Sequence, residues 1–93
     1  MEILDDKIES ITSIIGLENI NLTGNYINKN YIQKFIRNKN FIKKLKTIII
    51  KDNSIGYFGF KEFSNQAVHF KNLTTINFQN NQIGDEGFKA FAA

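Results

Sequence analysis

Ninety-three residues, 42% hydrophobic and 23% charged, suffice for one small domain with one core and are too apolar for a disordered chain. Cysteine is absent, which excludes disulfides and thiolate metal sites. It also fits an intracellular, cytoplasmic protein, as does an acidic start, "MEILDDKIES", unlike a secretory signal. No apolar run approaches the roughly 18 residues a membrane-spanning helix needs, so no membrane partner is expected.

The formal net charge of +3 hides an asymmetry: residues 1–18 hold five acids and one base, whereas residues 19–51 hold eight bases and no acid. Residues 3–14 read as a helix with a solvated acidic face, in which Ile14 falls in the same 28-residue register as Ile42 and Phe70, so residues 1–16 are expected to cap the domain. Leu17, Ile20 and Leu22 then open an apolar alternation. On a strand, residues 20 and 22 share one face, and 19, 21 and 23 share the other. A polar bend with Asn25 follows, then Ile27, and the apolar spacing turns helical at Ile32, Phe35 and Ile36.

The same line restarts 28 residues later with Leu45, Ile48 and Ile50. Its bend holds Asn53, its next inward residue is Ile55, and its helical positions are Phe60, Phe63 and Ala67. It restarts again with Leu73, Ile76, Phe78, Asn81 and Ile83, followed by Phe88 and Phe91. A single domain, 1–93, is therefore expected, with repeats 17–44, 45–72 and 73–93, the last incomplete. One strand–bend–helix unit cannot bury its apolar face alone, but stacked units can. Where the chain leaves each strand, backbone groups lose their ladder partners, and a buried amide can satisfy them. Asn25, Asn53 and Asn81 are thus expected to form a ladder from unit to unit.

The lines "LTTINFQNNQIGDEG" and "LKTIIIKDNSIGYFG" follow the pattern L-x-x-L-x-L-x-x-N-x-I-G-x-x-G almost completely. On these motifs residues 17–93 resemble the leucine-rich repeat family, specifically its long, ribonuclease-inhibitor-like type. The first line departs: "NYINKNY" has Asn28 and Tyr31 where the later lines have Gly56, Gly59, Gly84 and Gly87. Those glycines serve tight turning and close helix packing. The resemblance implies an α/β solenoid, with a short parallel sheet on the concave side and helices on the convex side. It also implies a non-catalytic module that holds a protein partner on the outward strand face. Here that face would carry Asn19, Asn21 and Thr23; Thr47, Ile49 and Lys51; and Thr75, Asn77 and Gln79. The surface is polar, with Ile49 as its apolar residue and no aromatic anchor.

Residues equipped for chemistry are sparse. The single histidine, His69, has neither a second His or Cys nor a nearby acid with which to build a metal site or a general base. The acid pairs Asp5–Asp6 and Asp85–Glu86 stand where helices begin and complement the helix dipole there. No nucleophile elbow, Walker sequence or dinucleotide fingerprint occurs, so no enzyme, cofactor or metal is expected. "NLT" at Asn21 and Asn72 matches a glycosylation acceptor, but it reads as accidental in so Asn-rich a chain.

Two further associations are open to this sequence. The basic stretch 29–51, through Lys34, Arg37, Lys39, Lys43, Lys44 and Lys46, offers the clustered charge that nucleic acid or another polyanion requires. Reading a base sequence would further need an inserted helix or stacking aromatics, and Phe35 and Phe41 are assigned to the core. Strand 74–79 would form a C-terminal edge, with Phe78, Phe88 and Phe91 near an open end of the core. Association of two copies through that edge strand is expected to cover it.

Overall fold

A computed structural model of the chain describes residues 10–14 and 16–84. Of the expected capping helix, residues 10–12 are helical. Residues 13 and 14 have already left the helix, and residues 3–9 lie outside the described residues, as do both acid pairs, Gly87, Phe88 and Phe91.

Strands β1 (Asn19–Asn21), β2 (Thr47–Ile49) and β3 (Thr75–Asn77) form a parallel sheet in the order β1-β2-β3. Ile48 lies opposite Ile20 on one side and Ile76 on the other. The alternation explains the burial: Ile20 and Ile48 turn into the core, and their neighbours in β1 and β2 stay exposed or half-buried. Ile76, on the last strand of the described sheet, is half-buried. Pairing outlasts the strands, since Gly24 donates its N–H to the Lys51 carbonyl and Asp52 donates to that of Gln79, each at 2.9 Å. At this point all three lines take the left-handed conformation, with φ +67° at Gly24, +55° at Asp52 and +60° at Asn80. Gly, Asp and Asn are the residue types that tolerate it best.

The departing first line finds its own way into a helix. Asn28, extended at φ −119°, accepts at its side-chain oxygen from the N–H groups of Asn30 and Tyr31 and so caps α1 (Lys29–Arg37). At the corresponding place Gly56 takes φ +74° and begins α3 (Gly56–Asn65) with no side-chain cap. Between them lies a short helix, α2 (Lys39–Ile42), which Asn38 separates from α1 and caps at Phe41 N–H. Ile32, Phe35 and Ile36 form the buried stripe of α1, while α3 buries Gly59, Phe60 and Phe63. The helices approach closely at Gly59, where an added Cβ would lie 3.2 Å from Lys29 Cα. Phe63 sits 4.8 Å, ring centre to ring centre, from both Phe70 and Phe78, knitting the outer layer to the last strand segment.

Three sequence-based expectations are corrected. Ala67 does not extend the apolar stripe of α3. The helix stops at Asn65, and Ala67, exposed, starts a 3-10 turn (Ala67–His69). Ile14 shares a register with the buried Ile42 and Phe70, yet it is 49% exposed. The turn bonds Ser13 N–H to Ser10 carbonyl and Ile14 N–H to Ile11 carbonyl throw it outward. Phe78 is not touched by water at an open end. It is 2% exposed and packs against Phe60 and Phe63, which removes it as an apolar anchor for pairing of two C-terminal edges. No described helix is long and apolar enough to cross a membrane.

Candidate interaction surfaces

The bend that supports the sheet edge is held by side-chain amides. Asn53 is 5% exposed. Its Oδ1 accepts from the N–H groups of Asn25 (2.8 Å) and Ile27 (2.9 Å). Its Nδ2 donates to the carbonyls of Leu22, Ile50 and Lys51 at 2.9–3.2 Å. Asn81, 1% exposed, accepts from Ile55 N–H and donates to the carbonyls of Ile50, Phe78 and Gln79. Each amide thus joins its own bend to the one before. Asn25 differs: it is half-buried, and its Nδ2 donates to the Thr23 carbonyl two residues back.

On the open side of the sheet the register sets Asn19, Thr47 and Thr75 in one row and Asn21, Ile49 and Asn77 in the next. Thr23, Lys51 and Gln79 continue the pattern beyond the strands. Ile49, Lys51, Thr47 and Asn77 are half-buried and the other five are exposed. Asn21 Oδ1 accepts from both the N–H and the hydroxyl of Thr23, at 3.1 and 2.6 Å. Asn77 Oδ1 accepts from Gln79 N–H at 3.1 Å. Both carbonyl oxygens thus accept bonds from local turns, and the two amide side chains flank Ile49 across the row. Lys51 is the one charge among these nine side chains.

The basic residues, clustered in sequence, are distributed over α1, α2 and the connection to β2. Lys34 and Arg37 are exposed on α1, with Lys34 Nζ 5.8 Å from the Tyr31 ring centre. Lys39, on α2, reaches the Ile36 carbonyl and the Gln66 side chain. Lys43 and Lys44 are exposed on the connection to β2, where Lys46 pairs with Glu18 at 3.3 Å. Lys71, which the sequence reading did not single out, joins this connection. Its neighbour Asn72 donates to the Lys43 carbonyl at 2.8 Å. The spacing of 28 that links Lys43 to Lys71 was the signal for it. Composition gave no such signal for the exposure of Tyr26 (87%), Phe58 (66%) and Val68 (66%).

A parallel three-stranded sheet, backed by helices and braced by buried bend amides, is a small α/β domain with an open strand face. Residues 71–92 match the family model described as "Leucine Rich repeat". The match supports a leucine-rich repeat in that segment, and such domains are typically non-catalytic modules that mediate protein–protein interaction. No curated protein matches the chain.

Proposed function

We propose that the protein is a non-catalytic interaction module that binds a protein partner on its open strand face. In this reading the units 17–44, 45–72 and 73–93 are successive repeats of a ribonuclease-inhibitor-like solenoid, and the strand face is its concave side. Asn19, Asn21, Thr23, Thr47, Ile49, Lys51, Thr75, Asn77 and Gln79 are the contact residues. The observation that carries the proposal is the central row, in which Ile49 stands between Asn21 and Asn77 in register. An apolar side chain between two amide side chains provides a small desolvated centre with directional bonds around it, as protein interfaces require. The polyanion alternative draws less support, because its basic residues are spread over α1, α2 and the connection to β2 and Lys46 already holds an acid.

The test is capture of partners from the source cell by the wild type and by the double variant Ile49→Glu, Asn77→Lys. Loss of capture with an unchanged circular dichroism spectrum is the expected result. A variant that captures the same partners as the wild type would refute the strand-face assignment.

A further inference from the structure

Three connections run from helix to strand, and they stack at the end of the sheet where the strands begin. Lys46 N–H donates to the Glu18 carbonyl at 2.7 Å, and Thr74 N–H donates to that of Lys46 at 2.9 Å. Farther out, Asn72 Nδ2 donates to the Lys43 carbonyl, Lys39 Nζ to the Gln66 side chain, and Asn38 Nδ2 to the Thr12 carbonyl. These bonds bring residues 12–14 and 16–18, 38–46 and 66–74 together into one rim.

The rim is basic. Lys39, Lys43, Lys44 and Lys71 are all exposed along it. Of the three acids among the described residues, Glu18 alone stands here, and Lys46 neutralises it. Asp52 occupies the bend beyond the far end of β2, and Glu62 lies on α3, accepting from Gln33. The rim also carries aliphatic surface: Val68 is 66% and Ile14 49% exposed. Ile14 borders a groove of about 200 Å³ whose wall includes Leu17, Phe41 and Lys44. Solvated lysines are ordinary, and so is one exposed aliphatic residue. Two such residues set among four lysines, one of them at the mouth of a groove, have the composition of a docking surface.

We propose that this rim docks an acidic protein segment that carries apolar side chains. Its carboxylates lie on Lys39, Lys43, Lys44 and Lys71, and an apolar side chain enters the groove beside Ile14. Charge selects this occupant. A second copy of the chain would bring the same lysines against these. Nucleic acid satisfies the charge but leaves the aliphatic groups unused. The phenylalanines of the rim are closed to stacking, since Phe41 and Phe70 are 5% and 7% exposed, which leaves the half-buried His69 as its one other ring among the described residues. The surface is separate from the strand face, so it stands whether or not Ile49 contacts a partner.

Fluorescence anisotropy on the full chain tests the proposal with three labelled probes. They are a short glutamate-rich peptide carrying leucines, the same peptide with serine for each leucine, and an oligothymidine of equal charge. The leucine-bearing peptide is expected to bind about tenfold more tightly than either of the others, the factor that one well-buried aliphatic side chain supplies. Lys43→Glu with Lys71→Glu should weaken it by at least about tenfold, through loss and reversal of two charges. Ile14→Ser should weaken the leucine peptide and leave the serine peptide unchanged, and Ile49→Glu should alter neither. All of these positions except Ile49 are exposed, and unchanged circular dichroism shows that the variants fold. Equal affinity for the two peptides, oligothymidine binding as tight as the leucine peptide, or indifference to the double charge reversal would each overturn the proposal.

Discussion

Replacing Asn53 by Ala removes one side chain from five hydrogen bonds, but their losses differ in cost. The Ile27 N–H loses its acceptor where Ile27 is 1% exposed. A buried, unpaired amide of this kind costs about 1–3 kcal/mol. The Asn25 N–H loses the same acceptor in a half-buried place that water can reach, so its share is smaller. Two of the three carbonyls keep other donors: Ile50 retains Asn81 Nδ2 at 2.7 Å, and Lys51 retains Gly24 N–H at 2.9 Å. The total is therefore about 2–4 kcal/mol, set chiefly by the two orphaned N–H groups. Against the roughly 5–14 kcal/mol that a domain of this size commands, such a loss is readily measured. Asn25→Ala removes an amide that donates to Thr23 across a local turn, and it should cost below about 1 kcal/mol. Urea titration followed by circular dichroism should show a lower midpoint for Asn53→Ala with an unchanged slope, and almost no shift for Asn25→Ala. Equal shifts for the two variants would refute the reasoning, because they would mean that burial and bond count at this position do not set the cost.

Gly59→Ala would place a Cβ 2.7 Å from Ile55 Cγ2 and 3.0 Å from Lys29 Cβ. Forcing α1 and α3 apart in this way should cost about 1–3 kcal/mol in the same titration, whereas Ala at an ordinary helix position would stabilise. Asn28→Ala should cost about 1 kcal/mol by uncapping α1, and Asn28→Ser should recover most of it, read as a shift in thermal midpoint.

The parallel sheet was legible because its signal is redundant. The alternation around Ile20, Ile48 and Ile76 names both the strands and their buried face, and equal spacing supplies the register. Helix ends were less legible, since they depend on local competition. Ala67 has the right spacing for the stripe of α3, but Gln66 leaves helical geometry and a 3-10 turn takes over. The first line, without glycine at position 28, was hard to read for a related reason. An asparagine in extended geometry and a glycine in left-handed geometry are alternative ways to start the helix, and only the second was written into the later lines. For the interaction surfaces, the sequence names which side chains share the open face. It does not say that Asn21 and Asn77 spend their carbonyl oxygens on Thr23 and Gln79, because those bonds depend on how the chain turns after each strand. Adjacency in the basic stretch does not say which lysines share an element. Residues 34 and 43 are close in sequence, yet a helix end and a second short helix separate them. Residues 43 and 71, distant in sequence, meet through Asn72.

Salt separates the forces that hold this fold from those proposed to hold its partners. The buried polar bonds that brace the bends are amide to backbone, at Asn53 and Asn81, and carry no net charge. The ion pair Lys46–Glu18 is about half exposed, with side chains 53% and 50% accessible, so it contributes no more than about 1 kcal/mol. Stability should therefore change little as sodium chloride is raised, apart from a slight gain as the excess positive charge is screened. The open strand face, with Lys51 as its one charge, should bind its partner with a similarly weak dependence on salt. The rim of Lys39, Lys43, Lys44 and Lys71 should behave otherwise, because attraction between exposed charges fades once the screening length falls to roughly 8–10 Å near physiological ionic strength. A partner lost from the chain at high salt while the fold persists belongs to the rim, and one retained there belongs to the face around Ile49.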